Sequence, residues 1–200
     1  MSGVRSGSRI GILGGTFDPP HIGHLAVAVE VRHALDLDRV VLVAANQPWQ
    51  KHGRRAISPA ADRLAMVAAS VEGLDGIEAD DREIRRGGPS YTIDTLEELG
   101  EEDPSSERFV VVGSDAASTI DTWTRADDLS RSATFVVVPR PGAPGARPDG
   151  FRWLDVKVLA LAVSSTDIRA RVAAGRPIDV LVAPGAVTYI EQHELYRGRG

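Results

Sequence analysis

Four short stretches of this chain are apolar at nearly every position: Ile10-Gly11-Ile12-Leu13, Val40-Val41-Leu42-Val43, Phe109-Val110-Val111-Val112 and Phe135-Val136-Val137-Val138. A strand with one face in water alternates apolar and polar residues. These do not alternate, so both faces must be covered, which is the pattern of parallel strands joined by crossover helices. The expectation is an α/β fold: a Rossmann-like, doubly wound, mainly parallel sheet with helices on both faces.

The segments between the runs fit that expectation. Leu25 onward reads as the first helix, Ser58–Val71 as the second, and Gly76–Ile84 as room for a short strand. Tyr91–Leu99 carries Ile93, Leu96 and Leu99 at helical spacing. Trp153–Leu159 reads as a last strand, followed by helices over Ser165–Ala174 and Pro184–His193. Pro139–Gly150, rich in Pro and Gly, reads as a surface loop, either a plain connection or a lid. Residues 1–8 read as a flexible N-terminus and 9–200 as one domain, with 164–200 its C-terminal helical part.

Composition excludes several classes. There is no cysteine, so disulfides, thiol nucleophiles and thiolate metal sites are out. A net charge of −5 lacks the basic balance of a general nucleic-acid binder. No apolar run approaches the ~18 residues of a membrane span, and the polar start has no signal-peptide core. The expected setting is cytoplasmic, with no membrane or nucleic-acid partner. The oligomeric state is left open, a homo-oligomer included.

The chemistry concentrates where the first strand ends: Gly14-Gly15-Thr16-Phe17-Asp18-Pro19-Pro20-His21-Ile22-Gly23-His24. Gly14 and Gly15 let backbone approach a phosphate closely. The helix start supplies N–H groups and positive dipole potential. His21 and His24, three residues apart, add donors on one side. A zinc site on the two histidines would need further ligands, and the chain offers five histidines and no cysteine, so no metal ligand is assigned. A dehydrogenase fingerprint does not fit Gly11-Ile12-Leu13-Gly14-Gly15, and the second strand ends Val43-Ala44-Ala45-Asn46 without a ribose-binding carboxylate. No Gly-Lys-Ser/Thr exists for a phosphate-binding loop of kinase type.

The His-x-Gly-His string resembles the nucleotidyltransferase superfamily. Ser164-Ser165-Thr166-Asp167-Ile168-Arg169 strengthens this: a serine caps a helix, its neighbours form a second anion cradle, and Arg169 points back from the same turns. Over nearly its whole length the chain is similar to the bacterial nicotinate-nucleotide adenylyltransferase family. The similarity rests on Gly14–Leu25, Gln47-Pro48-Trp49-Gln50-Lys51, Arg63-Leu64-Ala65-Met66, Pro89-Ser90-Tyr91-Thr92-Ile93-Asp94-Thr95-Leu96, Gly113-Ser114-Asp115, Trp123, Ser164–Arg169, Tyr189-Ile190 and Leu195-Tyr196. Two departures fall near the second strand. The loop reads Pro48-Trp49-Gln50-Lys51 where the family often has Pro-Pro-His-Lys, and Ala44 replaces a common proline.

The resemblance implies a nucleotidyltransferase-type sheet and adenylyl transfer from ATP, accompanied by Mg²⁺, to nicotinate mononucleotide. It implies catalytic roles for His21, His24 and Arg169. ATP would lie against Gly14, Gly15, the N–H groups of Thr16 and Phe17, His24, Asp115, Ser164, Ser165, Thr166 and Arg169. Lys51, Thr92 and Trp123 would meet the mononucleotide. Bland readings stand beside three of these: Asp115 as a helix cap, Lys51 as a solvated loop lysine, Trp123 as a core residue. Asp18 reads as fixing the glycine-rich turn rather than holding metal. The alternatives are another acceptor, nicotinamide mononucleotide or phosphopantetheine, and a non-catalytic nucleotide-binding regulatory module.

Overall fold

The computed structural model describes residues 7–48, 57–139 and 145–197. Its sheet contains β1 (Arg9–Gly15), β2 (Arg39–Ala44), β3 (Ile77–Asp80), β4 (Glu107–Gly113), β5 (Thr134–Val138) and β6 (Trp153–Asp155). The order is β3-β2-β1-β4-β5-β6, and every pairing is parallel. From β1 the chain winds outward one way through β2 and β3, then returns to the centre and winds the other way. The reversal leaves a crevice at the carboxyl ends of β1 and β4.

The continuous apolar runs are explained by two cores. Val40, Leu42, Phe109, Val111 and Val136 face one, which also takes Ala28 and Val31 of α1 (Ile22–Ala34) and Val67 and Val71 of α2 (Ala60–Val71). Ile10, Ile12, Val41, Val43, Val110, Val112 and Phe135 face the other, with Ile93, Leu96 and Leu99 of α4 (Thr92–Glu102). Alternate residues of one strand thus enter opposite cores, as the period of two requires. A third, smaller core joins Met66 of α2 to Ile168 of α7 (Ser165–Ala173) and to Ala186 and Ile190 of α8 (Pro184–Gln192).

Several boundaries differ from expectation. β1 runs through Gly14 and Gly15, which pair with Val43 and Ala44. α1 begins at Ile22 rather than Leu25, because His21 and His24 cap it in place of the usual hydroxyl or carboxylate residue. The strand expected over Trp153–Leu159 stops at Asp155. Its partner β5 ends at Val138, and beyond the buried Val156 the chain is exposed, with Leu159 at 64%. Two short helices were not anticipated, α3 (Arg82–Arg86) and α6 (Ala126–Ser132), and α5 (Ser114–Ala117) entered only as a helix that Asp115 could cap. Each is polar enough to read as loop, and α6 buries only Leu129.

Ser8, placed by sequence in the N-terminal tail, donates to Asp103 Oδ2 at 2.6 Å. In the Pro139–Gly150 segment, Pro148 O accepts from Trp153 Nε1 at 3.2 Å; residues 140–144 lie outside the described residues. Among the described residues no helix is long and apolar enough to cross a membrane.

Candidate active site

The turn from β1 into α1 sits over the crevice, and its side chains hold one another. His21 occupies the N-cap position with extended backbone and is only 9% exposed. Its N–H donates to His24 Nδ1 at 3.2 Å. That bond makes Nδ1 an acceptor, so in the neutral ring the proton sits on Nε2, leaving Nε2–H as the donor directed away from the cap. The two imidazoles stack at 3.8 Å, and the Phe17 ring meets His24 edge-on at 5.0 Å.

Two glycines make this packing possible. A Cβ on Gly23 would lie 3.0 Å from the His21 ring and 3.1 Å from Val163, so the residue between the histidines must be small for both to close in. A Cβ on Gly15 would strike the Phe17 ring at 2.8 Å, whereas one on Gly14 would meet nothing within 4 Å. Gly15 therefore serves the protein's own packing, while the open approach expected of both glycines is found at Gly14.

The Ser164–Arg169 segment reaches the β1–α1 turn through the backbone of that turn. Ser165 Oγ donates to Pro19 O at 2.8 Å, and Arg169 Nη1 donates to Asp18 O at 2.6 Å. Arg169 Nη2 also donates to Thr166 Oγ1 at 3.1 Å. Ser164 is the α7 cap: its Oγ accepts from Asp167 N–H at 3.1 Å and donates to Asp167 Oδ2 at 2.6 Å. His21, His24, Ser165 and Arg169 thus converge on a six-residue turn, through bonds that span 146 and 151 positions.

Below the turn lies a polar layer of Asp18, Tyr196 and Arg63, residues that the sequence named one by one without placing them together. Asp18 is 1% exposed, and its Oδ1 accepts from Tyr196 Oη at 2.7 Å. That bond ties Asp18 to the C-terminal part of the chain. Burial, reinforced by the Asp18 carboxylate, pushes the Tyr196 phenol far above its ordinary value. Burial also pushes the Arg63 guanidinium down, an effect offset in part by Asp18.

Across the crevice, Asp115 lies exposed in the first turn of α5 at the end of β4. Gly113, not Asp115, takes the N-cap position, which removes the capping alternative. Thr92 opens α4, and Tyr91 and Trp123 both pack on the second core. Trp123 Nε1 is buried with no hydrogen-bond partner among the described residues. Lys51 lies outside the described residues. Among the described residues, no group of three or more His, Asp or Glu stands close enough to hold a metal ion.

Comparison with known proteins identifies the family. The cytidylyltransferase-like family matches residues 12–171, which span both motifs. A relative from Corynebacterium kroppenstedtii named "Probable nicotinate-nucleotide adenylyltransferase" is 44% identical over 196 residues, covering 96% of this chain and 92% of its own. One of the same name from Streptomyces coelicolor is 47% identical over 190 residues, covering 93% and 100%. The fold is shared with the Plasmodium falciparum nicotinic acid mononucleotide adenylyltransferase complexed with NaAD. That structure has a TM-score of 0.76 at 20% identity, covering 94% of this chain and 97% of the other. With identity of this depth running along nearly the full length of both partners, the chain belongs to the nicotinate-nucleotide adenylyltransferase family of cytidylyltransferase-like proteins.

Proposed function

We propose that the protein transfers the adenylyl group of ATP to nicotinate mononucleotide, giving deamido-NAD and pyrophosphate. The observation that carries this reading is the union of the two anion-binding segments, held together by Ser165 and Arg169 on the Asp18–Pro19 backbone. An oxygen of the mononucleotide phosphate attacks the α-phosphorus of ATP. The bond from that phosphorus to the α,β-bridging oxygen breaks, and pyrophosphate leaves with the electron pair.

No general base is required, since a phosphate monoester with a second pKa near 6 is largely dianionic at pH 7. Catalysis is then positioning together with stabilisation of the charge that builds on the phosphoryl oxygens and the leaving group. His21 and His24 are assigned as donors to the α- and β-phosphates, helped by the N–H groups of Thr16 and Phe17. Arg169, with Ser165, Thr166 and the helix end that Ser164 caps, is assigned to the departing pyrophosphate. Asp115 is assigned to the adenosine side, and Thr92 and Trp123 to the nicotinate ring. Mg²⁺ bound with ATP would help neutralise the phosphate charge, and no residue of this chain is assigned to hold it.

The test is product analysis with MgATP and a panel of acceptors. Deamido-NAD and pyrophosphate are expected from nicotinate mononucleotide. Turnover of phosphopantetheine or nicotinamide mononucleotide in preference to it would overturn the acceptor assignment. ATP binding without any product would point instead to a regulatory module.

A further inference from the structure

Among the described residues, Arg63 has the largest of the fully buried side chains, at 1% exposure. A guanidinium so far from water needs its donors satisfied. Here the partners are backbone carbonyls from separate parts of the chain. Nε donates to Ser58 O at 2.9 Å, Nη1 to Thr16 O at 2.9 Å and Ala45 O at 2.5 Å, and Nη2 to Asn46 O at 3.0 Å.

In a trans peptide the C=O and the following N–H point to opposite sides. Holding Ala45 O toward the guanidinium therefore turns Asn46 N–H away from it, and that N–H donates to Ser90 Oγ at 2.8 Å. Ser90 N–H in turn donates to Gln47 O, and Asn46 Nδ2 to Gly88 O. Ser90 leads directly into Tyr91 and Thr92. By the same geometry, holding Thr16 O turns Phe17 N–H away from Arg63. Phe17 has a φ of 48°, a left-handed backbone that a non-glycine residue keeps only where its surroundings enforce it.

One planar side chain thus joins the turn on the ATP side to the segment on the mononucleotide side. We propose that Arg63 is a positioning residue that sets the spacing between the adenylyl donor and its acceptor. This rests on the function proposed above. In-line displacement needs the reacting atoms about 3–3.5 Å apart and aligned, and a misplacement near 1 Å lowers the rate about 10²-fold. A lysine keeps the charge but loses the fork that grips several carbonyls at once.

The experiment compares wild type with Arg63→Lys by steady-state kinetics, thermal melting and backbone amide spectra recorded without nucleotide. The expected result is a folded variant whose kcat is about 10²-fold lower, with KM for each substrate moving only a few-fold. The amide signals of Phe17 and Asn46 should shift together. A folded variant with near-normal kcat overturns the proposal. So does a loss confined to the ATP KM, which would make Arg63 a support of one loop only. Should the lysine variant not fold, Ser90→Ala cuts the same connection at its far end. It should lower kcat and shift Asn46, and wild-type values of both would overturn the proposal. If wild type makes no dinucleotide, the function reading fails by itself. The amides then decide, and a shift of Phe17 without Asn46 rejects the connection.

Discussion

His24 has two duties that its position in the turn combines. Nδ1 receives the N–H of His21 at 3.2 Å, while Nε2 is the nitrogen left to donate. Replacement by alanine removes both at once. His24→Ala should lower kcat by about 10²-fold or more, as for loss of one transition-state donor. It should also lose about 0.5–2 kcal/mol of stability as a helix-capping partner disappears. His24→Asn separates the two, because its side-chain oxygen can still accept from His21 N–H while nothing replaces Nε2. Its melting temperature should stay nearer wild type with kcat still depressed. Equal kcat in wild type and His24→Asn would limit His24 to capping.

At the scale of elements, α3 and α4 are joined by a buried carboxyl that the proposed chemistry does not use. Glu83 of α3 accepts from Thr95 Oγ1 of α4 at 3.0 Å and is bonded to Ser90 just ahead of α4. Burial pushes its pKa up, opposed by those hydroxyls and by Arg86. Below its ordinary value of 4.5 the group is protonated in both folded and unfolded chains. As pH rises from there to the higher folded value, the unfolded chain ionises while the folded one keeps its proton, so stability is lost over that interval. Glu83→Gln cannot ionise. Relative to wild type it should gain stability as pH is raised from 4 to 8, measured by urea unfolding at each pH. Two curves that stay parallel would show that the carboxyl is not held against ionisation. Around this pair, Arg82 meets Asp80 and Glu102, and Arg86 meets Glu98 at 2.7 Å. The later part of α4 is therefore tied to α3 by ion pairs.

Across the whole molecule, the last described residues hold the first loop. Tyr196 reaches back 178 positions to Asp18, beside the Arg169 bond that spans 151. The third core, between α2, α7 and α8, carries the C-terminal part into that position. Tyr196→Phe keeps the ring and deletes the hydroxyl. It leaves a buried carboxylate short of a donor, at about 1–3 kcal/mol. The melting temperature should fall, and kcat with it, since the turn carrying His21 would loosen. Unchanged stability in Tyr196→Phe would mean that Asp18 has no need of the phenol.

The fold was legible because continuous apolar runs admit few arrangements. Val40–Val43 and Phe109–Val112 can bury both faces only inside a helix-covered parallel sheet, and their alternate residues do enter two cores. The His-x-Gly-His and Ser-Ser-Thr-x-Ile-Arg segments were legible for a similar reason: each is a local device, a helix start furnished with donors. What the sequence could not reveal is who receives a long-range hydrogen bond. Arg63 enters the sequence reading only as part of a stretch that carries the family resemblance, and only the packed chain delivers four carbonyls to it. Asp18 and Tyr196 meet for the same reason, as does Gly23 with Val163. Pattern and period act over a few residues and determine which faces are buried. The partners of a buried polar group are set by how whole elements dock, and that was decided only in the tertiary structure.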